Sequence, residues 1–577
     1  MKTHLLAAAA AVLATSALAA QQPTPIARDA RAVAQRLDEH ARRLVPFGYS
    51  GSLLVAKDGE VVISNGYGLA DRENGVPVTA ETVFDIGSIT KQFTAAAILK
   101  LEMEGKLSVN DPVSRWFPGV PADKQGMTLH HLLTHSSGLR DIFGGDYDVA
   151  ERDSLAGVIL NSELQWAPGT RYDYSNAGYS LLGMVVEKAS GMGYEQYLRE
   201  KLWGPAGMTR TGYVGPQWRP GELAVGYGRG GRRDGTSVEQ AWAPDGPWWN
   251  LRANGGILSN VRDLFRWHQA LEGDAILSAE ARRKMWTPHV PENEEGDSHY
   301  GYGWAIGPTT RGTKLIAHNG GNGIFFADFR RYVDEGVVIL VMSNTTDASY
   351  SRALGGFTRL VFGGGEVVPP PAAVEGDAAR AAAAAGAYAL PGGGTLRVTA
   401  EGARLRIAPE GPQAFALLNG GPADERAAAL GARTVAMLEA AGRDDYAPLM
   451  QAFGPGVTLE RIRGMHQEFL SSVTGRLGAQ QPGVELVGTV ARGPVVQAIV
   501  RMRFERGTQL LGVEWEGDEA AEIGPMREPP PVLFVPVAAD AWASYDVATG
   551  ASTRVRVEGG ALVIDTPSGP VRAARSS

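Results

Sequence analysis

The chain has 577 residues, 44% of them apolar and 20% charged, with a formal net charge of −8 and a pI near 5.8. That length leaves room for roughly two to four domains with proper cores, and the acidic balance, without a long basic run, excludes nucleic acid as the main partner. The absence of cysteine excludes disulfides, a thiol nucleophile and a cysteine-borne lipid anchor.

Residues 1–20 read as a secretory signal: Lys2 gives a positive start, residues 5–13 form a short apolar run, and Ala17-Leu18-Ala19 is a small-residue cleavage site. The expectation is a periplasmic or secreted protein. No later run has the length of a membrane span, so no integral membrane segment is expected. Residues 29–44 have the spacing of an amphipathic helix. Residues 52–56 and 60–63 flank Lys57-Asp58-Gly59, a hairpin signal. Ser88-Ile89-Thr90-Lys91 then opens an apolar run over 93–99 that predicts a buried helix. Helices follow over 155–160, 178–189, 259–271 and 354–362, and strands over 314–317, 323–330 and 337–343. Strands at both ends with helices between them predict one antiparallel sheet, built from the two ends of a unit spanning 28–362 and packed against a helical cluster.

Gly363-Gly364-Gly365 and Pro369-Pro370-Pro371 mark a linker over 363–376. Beyond it the texture changes to short alternating strands, with Leu396, Val398, Leu405 and Ile407 set between arginines and threonine, and it returns at Val555 and Val557. Residues 386–419 and 532–575 are expected to form the two halves of a lipocalin-like β-barrel. An α+β module over 424–528 is expected as an insertion: helices over 425–441, 446–453 and 459–470, then strands over 484–490, 496–504 and 509–515. The alternative is two separate small domains in series, but about four strands on one side alone would leave open edges.

Three stretches carry chemistry. Ser88 stands at a helix start, and Lys91 projects from the same face one turn on. A buried lysine loses its charge easily and can take a hydroxyl proton. Tyr174-Ser175-Asn176, between a Pro168-Gly169 turn and a helix, offers a phenol for proton relay and a carboxamide for a carbonyl, or simply an Asx-type helix start. His318-Asn319-Gly320-Gly321 closes a strand whose glycines allow close approach and an amide aimed at an oxyanion. His131 and His135 have the i, i+4 spacing of metal ligands, but no glutamate stands between them as in H-E-x-x-H. Trp242, Trp248 and Trp249, in a long glycine-rich stretch, either wall a pocket or cover a loop.

With these motifs in order, and with Leu132-Leu133-Thr134-His135-Ser136-Ser137-Gly138-Leu139 and Gly255-Gly256-Ile257-Leu258-Ser259 between them, residues 30–362 resemble the serine β-lactamase and penicillin-binding-protein-like hydrolases, in the branch of class C β-lactamases, DD-peptidases, D-aminopeptidases and esterases. The resemblance implies a β-lactamase/transpeptidase-like α+β fold and an acyl-enzyme mechanism without cofactor or metal. It implies Ser88 as nucleophile, Lys91 as base or relay, Tyr174 as proton shuttle and Asn176 on the substrate carbonyl, with the amides of Ser88 and Gly321 as oxyanion hole. His318, Gly320 and Gly321 stand where lactamases of this branch carry Lys-Thr-Gly. A fixed cation for a penicillin carboxylate is thus missing, which favours small amides, short peptides or esters over β-lactams. The alternatives are a β-lactamase, or a penicillin-recognising binding protein with negligible turnover, its C-terminal modules engaging an unknown partner.

Overall fold

A computed structural model describes residues 24–346, 350–419, 425–454, 456–492, 495–547 and 549–576; the expected signal segment lies outside them. Helix α1 (Ala30–Leu44) is capped by Asp29, whose side chain accepts from the Ala32 amide. The hairpin β1 (Gly51–Lys57) and β2 (Glu60–Tyr67) follows, and then α2 (Thr90–Met103), α3 (Asn176–Ser190) and α4 (Val261–Glu272). Strands β3 (Val290–Pro291), β4 (His299–Tyr300), β5 (Ala305–Pro308), β6 (Lys314–Gly321), β7 (Phe326–Tyr332) and β8 (Val337–Ser343) lead to α5 (Tyr350–Phe362).

These strands make an antiparallel sheet ordered β2-β1-β8-β7-β6-β5-β4-β3, in which the first strand lies against the last, Gly51 opposite Ser343 and Lys57 opposite Val337. Alternate side chains serve two cores. Leu53, Val55, Ile339 and Val341 meet α1 and α5, whereas Leu54, Ala56, Leu340 and Met342 meet the helical cluster. Both faces are covered, which is why β8 is apolar at almost every position. Helix α2 is buried from Thr90 to Leu99 on every side, as a central helix must be when its sequence has no polar stripe.

The C-terminal part is a closed barrel of β9 (Gly386–Ala389), β10 (Thr395–Glu401) and β11 (Arg404–Glu410), completed after the insertion by β16 (Val532–Ala538), β17 (Ala541–Tyr545), β18 (Ser552–Glu558), β19 (Ala561–Thr566) and β20 (Gly569–Arg575). Between them, helices α6 (Glu425–Ala441), α7 (Ala447–Phe453) and α8 (Leu459–Leu477) cover a four-stranded sheet, β12 (Gln480–Arg492), β13 (Val495–Phe504), β14 (Gly507–Glu516) and β15 (Glu519–Met526). Residues 412–419, expected in the barrel wall, are instead a helix: Pro412 opens it, and the run that follows lacks a strand's alternation. The barrel is filled rather than hollow. Tyr388, Leu396, Val398, Phe534, Trp542, Val555 and Ile564 meet inside it, with Ala381, Ala384 and Ala414 from two short helices packed against them. Tyr545 ties the barrel to the first domain through the Phe47 ring, at 5.8 Å, and to the linker through a 2.7 Å bond to the Val368 carbonyl.

Candidate active site

Ser88 lies in the single 3-10 turn Gly87–Ile89 that leads into α2. Asp85, buried, fixes that turn by accepting from the Gly87 amide at 2.8 Å. Lys91, fully buried one turn on, donates to Ser88 Oγ at 3.0 Å, Asn176 Oδ1 at 2.6 Å and the Asn254 carbonyl at 2.8 Å. Burial lowers its pKa to about 7, against the pull of Asp141 and Asp146. The neutral amine has two N–H groups and one lone pair. Asn176 Oδ1 and the Asn254 carbonyl can only accept, so they take the two hydrogens and leave the lone pair for the Ser88 hydroxyl.

Tyr174 completes the group. It is hydrogen-bonded to Ser88, its ring lies 4.8 Å from Lys91 Nζ, and burial holds the phenol well above its ordinary pKa, so it stays protonated. Behind it, His135 stacks at 4.1 Å and accepts the Ser175 amide on Nδ1, while its own carbonyl accepts from Asp173 at 2.7 Å. The strained backbone of His135, at φ 55°, thus shapes the loop that presents Tyr174. Ser175 caps α3 through the Gly178 amide, so the helix start is serine-capped rather than Asx-type, and the chemical motif and the cap share one tripeptide. The two histidines at i, i+4 do separate jobs: His131 closes a capping box with Thr128, and His135 faces the tyrosines.

The edge of β6 lies against the nucleophile turn. A Cβ on Gly320 would fall 2.0 Å from the Ile86 carbonyl oxygen and 2.7 Å from the Ser88 nitrogen, and one on Gly87 would fall 2.4 Å from the Gly321 nitrogen. Only glycine permits this approach, which brings the Ser88 and Gly321 amides side by side.

His318, which stands where lactamases of this branch carry the lysine of Lys-Thr-Gly, presents no charge. It is 7% exposed, its Nδ1–H donates to the Asn319 carbonyl, its Nε2 accepts from Tyr300, and burial lowers its pKa to about 4. Strand β6 runs on to Gly321, and its alternation turns His318 inward with Ile316 and Gly320. Asn176, expected on the substrate carbonyl, gives its oxygen to Lys91 and one Nδ2 hydrogen to Asp141, which leaves the second Nδ2 hydrogen for a substrate. Of the tryptophans, Trp249 is buried in the core and Trp242 packs against it. Sequence reasoning missed Asp141, which sits just after the Ser136-Ser137-Gly138 phrase. It also missed the Asn254 carbonyl, for which no residue-type signal exists. Ala253, at φ 73°, turns two successive carbonyls towards α2: its own to Thr94 and the next to Lys91.

A hydroxyl, a neutralised amine and a phenol in mutual contact below a glycine-lined pair of amides define a serine hydrolase. The chain belongs to the Beta-lactamase family, whose pattern it matches over residues 33–361. It is 30% identical over 322 residues to penicillin-binding protein 4* of Bacillus subtilis, covering 53% of this chain and 70% of that one. It is 34% identical over 184 residues to protein flp of Staphylococcus aureus, covering 30% of this chain and 37% of that one. The octameric penicillin-binding protein homologue of Pyrococcus abyssi shares the fold, with TM-score 0.52 and 22% identity over 94% of this chain and 100% of that one.

Proposed function

We propose that the chain is an exported serine hydrolase that forms an acyl-enzyme with small amides, short peptides or esters. The reading rests on Lys91, buried, neutral-leaning and 3.0 Å from Ser88 Oγ with its other hydrogens already placed. Ser88 attacks the substrate carbonyl while its proton passes to Lys91 Nζ. The oxyanion forms at the Ser88 and Gly321 amides; losing one such donor typically costs about 100- to 1000-fold in rate. The C–N or C–O bond then breaks as Tyr174 gives its proton to the leaving group, and the Lys91 ammonium beside the ring restores it. Water repeats the sequence to release the acid. His318, neutral at physiological pH, offers no charge for a substrate carboxylate, which supports amides and esters over penicillins. The export signal, read from sequence, supports a periplasmic or secreted setting.

Incubation with a fluorophosphonate probe and with p-nitrophenyl esters or D-alanine p-nitroanilide tests the proposal. Labelling with turnover is expected, and Ser88→Ala abolishes both. Persistent labelling of that variant means another nucleophile, and labelling by a fluorescent penicillin without any turnover means a binding protein.

A further inference from the structure

We propose that Asp141 is a positioning residue that fixes which end of the Asn176 carboxamide faces Lys91, and so keeps the Lys91 lone pair on Ser88. The inference rests on the acyl-enzyme reading above. Asp141 Oδ1 accepts two bonds of 2.9 Å, one from the Asn176 backbone N–H and one from its Nδ2. A carboxylate only accepts, so the nitrogen end of the carboxamide must turn to Asp141 and the oxygen end to Lys91. Turned over, the carboxamide would aim an N–H at Nζ, occupy the lone pair, and leave Ser88 without its base. Lys91 selects the same end only while it is an ammonium; once it is the neutral amine, with a lone pair that an N–H could meet, the acceptor-only carboxylate of Asp141 is what holds the choice. Asp141 does not depend on Asn176 for its own place. The Arg140 carbonyl accepts from Ser175 Oγ at 3.0 Å and the Asp141 carbonyl accepts from the Ala177 amide at 2.9 Å, so the start of α3 pins this segment independently.

Asp141 also acts through charge. The charged or titratable groups around Lys91 are Asp141 and Asp146, which favour its ammonium, and His135 and His318, which burial keeps neutral; Tyr174 and Tyr179 present their rings. Removing one carboxylate favours the free amine. Losing Asp141 is therefore expected to have two separable effects: slower attack by Ser88, and an acid limb moved to lower pH.

The test is the rate of fluorophosphonate labelling of Ser88 against pH in the full chain, with circular dichroism confirming the fold of each variant. Asp141→Ala is expected to slow labelling by about tenfold, the order of a lost charge-assisted hydrogen bond, and to shift the acid limb down. Asp141→Asn keeps an accepting oxygen, so it shifts the limb but slows labelling less. In the Asp141→Ala background, Asn176→Asp presents an oxygen to Lys91 whichever way it turns. That double variant is expected to recover labelling with the limb moved up, a rescue that a merely structural role does not predict. Labelling of Asp141→Ala at the wild-type rate, or a folded double variant no faster than the single one, overturns the Asp141 assignment alone. A wild-type chain unlabelled at Ser88 overturns the acyl-enzyme reading itself.

Discussion

At Lys91 the energetics and the chemistry are one matter. Burial without an anionic partner in contact penalises the ammonium, and the two acceptor-only neighbours hold the amine in place once the proton has gone. The base is competent only when neutral, so hydrolysis should be about half-maximal near pH 7, approach its plateau about one unit above, and fall by about tenfold per pH unit well below it. A kcat/KM profile on a neutral ester, which carries no titrating group of its own, checks this. A flat profile between pH 5 and 8 would show that Lys91 does not supply the base. His318 adds no second limb in that range, since its proton leaves near pH 4. Residue types made much of this visible in advance. Ser88, Lys91 and Tyr174 announce themselves by rarity in their settings. Asn176 was found, but its bonds to Lys91 and Asp141 were not foreseen, because a carboxamide looks the same whichever partners it serves. The Asn254 carbonyl had no signature at all, since backbone geometry at Ala253 produced it.

Among the elements, β6 decides whether the amides can meet. Gly320 lies so close to the Gly87–Ser88 turn that the nearest obstacles to a side chain there are backbone atoms, which cannot swing aside. Gly320→Ala is therefore expected to push the strand off the turn, lowering activity by about 100-fold or more while the apolar cores persist. Ester turnover alongside a thermal melt tests this, and an active, unshifted variant would remove the oxyanion role of that edge. Strand parity also explains the error over His318. Read only as the end of a strand over 314–317, the histidine was not assigned to either face. Followed to Gly321, Ile316 and His318 share the buried face, a pattern the sequence already held. The barrel helix over 412–419 was missed for the opposite reason, because a short apolar stretch between strands was taken for more of the same.

For the molecule as a whole, the insertion is placed so that the barrel does not need it for closure. Strands β11 and β16, which flank the inserted module, are themselves paired, with Leu405 opposite Phe534 and Ile407 opposite Val532. Replacing 420–528 by a short flexible linker should leave a closed barrel and an active first domain, because the pairing, the filled interior and the Phe47–Tyr545 contact all lie outside the deleted segment. The exposed cost falls on Phe415, which packs against Val487, Ile499 and Leu510 of the module. Soluble expression with unchanged Ser88 labelling is the expected outcome. Aggregation cured by a polar residue at 415 fits the same account, whereas loss of labelling would mean that the module supports the cleft. The two-part texture of the barrel was legible because alternating strands leave a period of two in the sequence, while its solid interior became visible only once the strands were paired.

The pairing of β1 with β8 also has a consequence for the order of events during synthesis. The attacking oxygen is made early in the chain, but the amide that must steady the charged intermediate and the strand that closes the sheet arrive much later. A ribosome-bound chain that stops short of Ser343 carries the nucleophile without a working centre. Such a fragment should ignore an activity probe that marks the finished protein, so the enzyme stays silent until the last strand of the sheet has emerged.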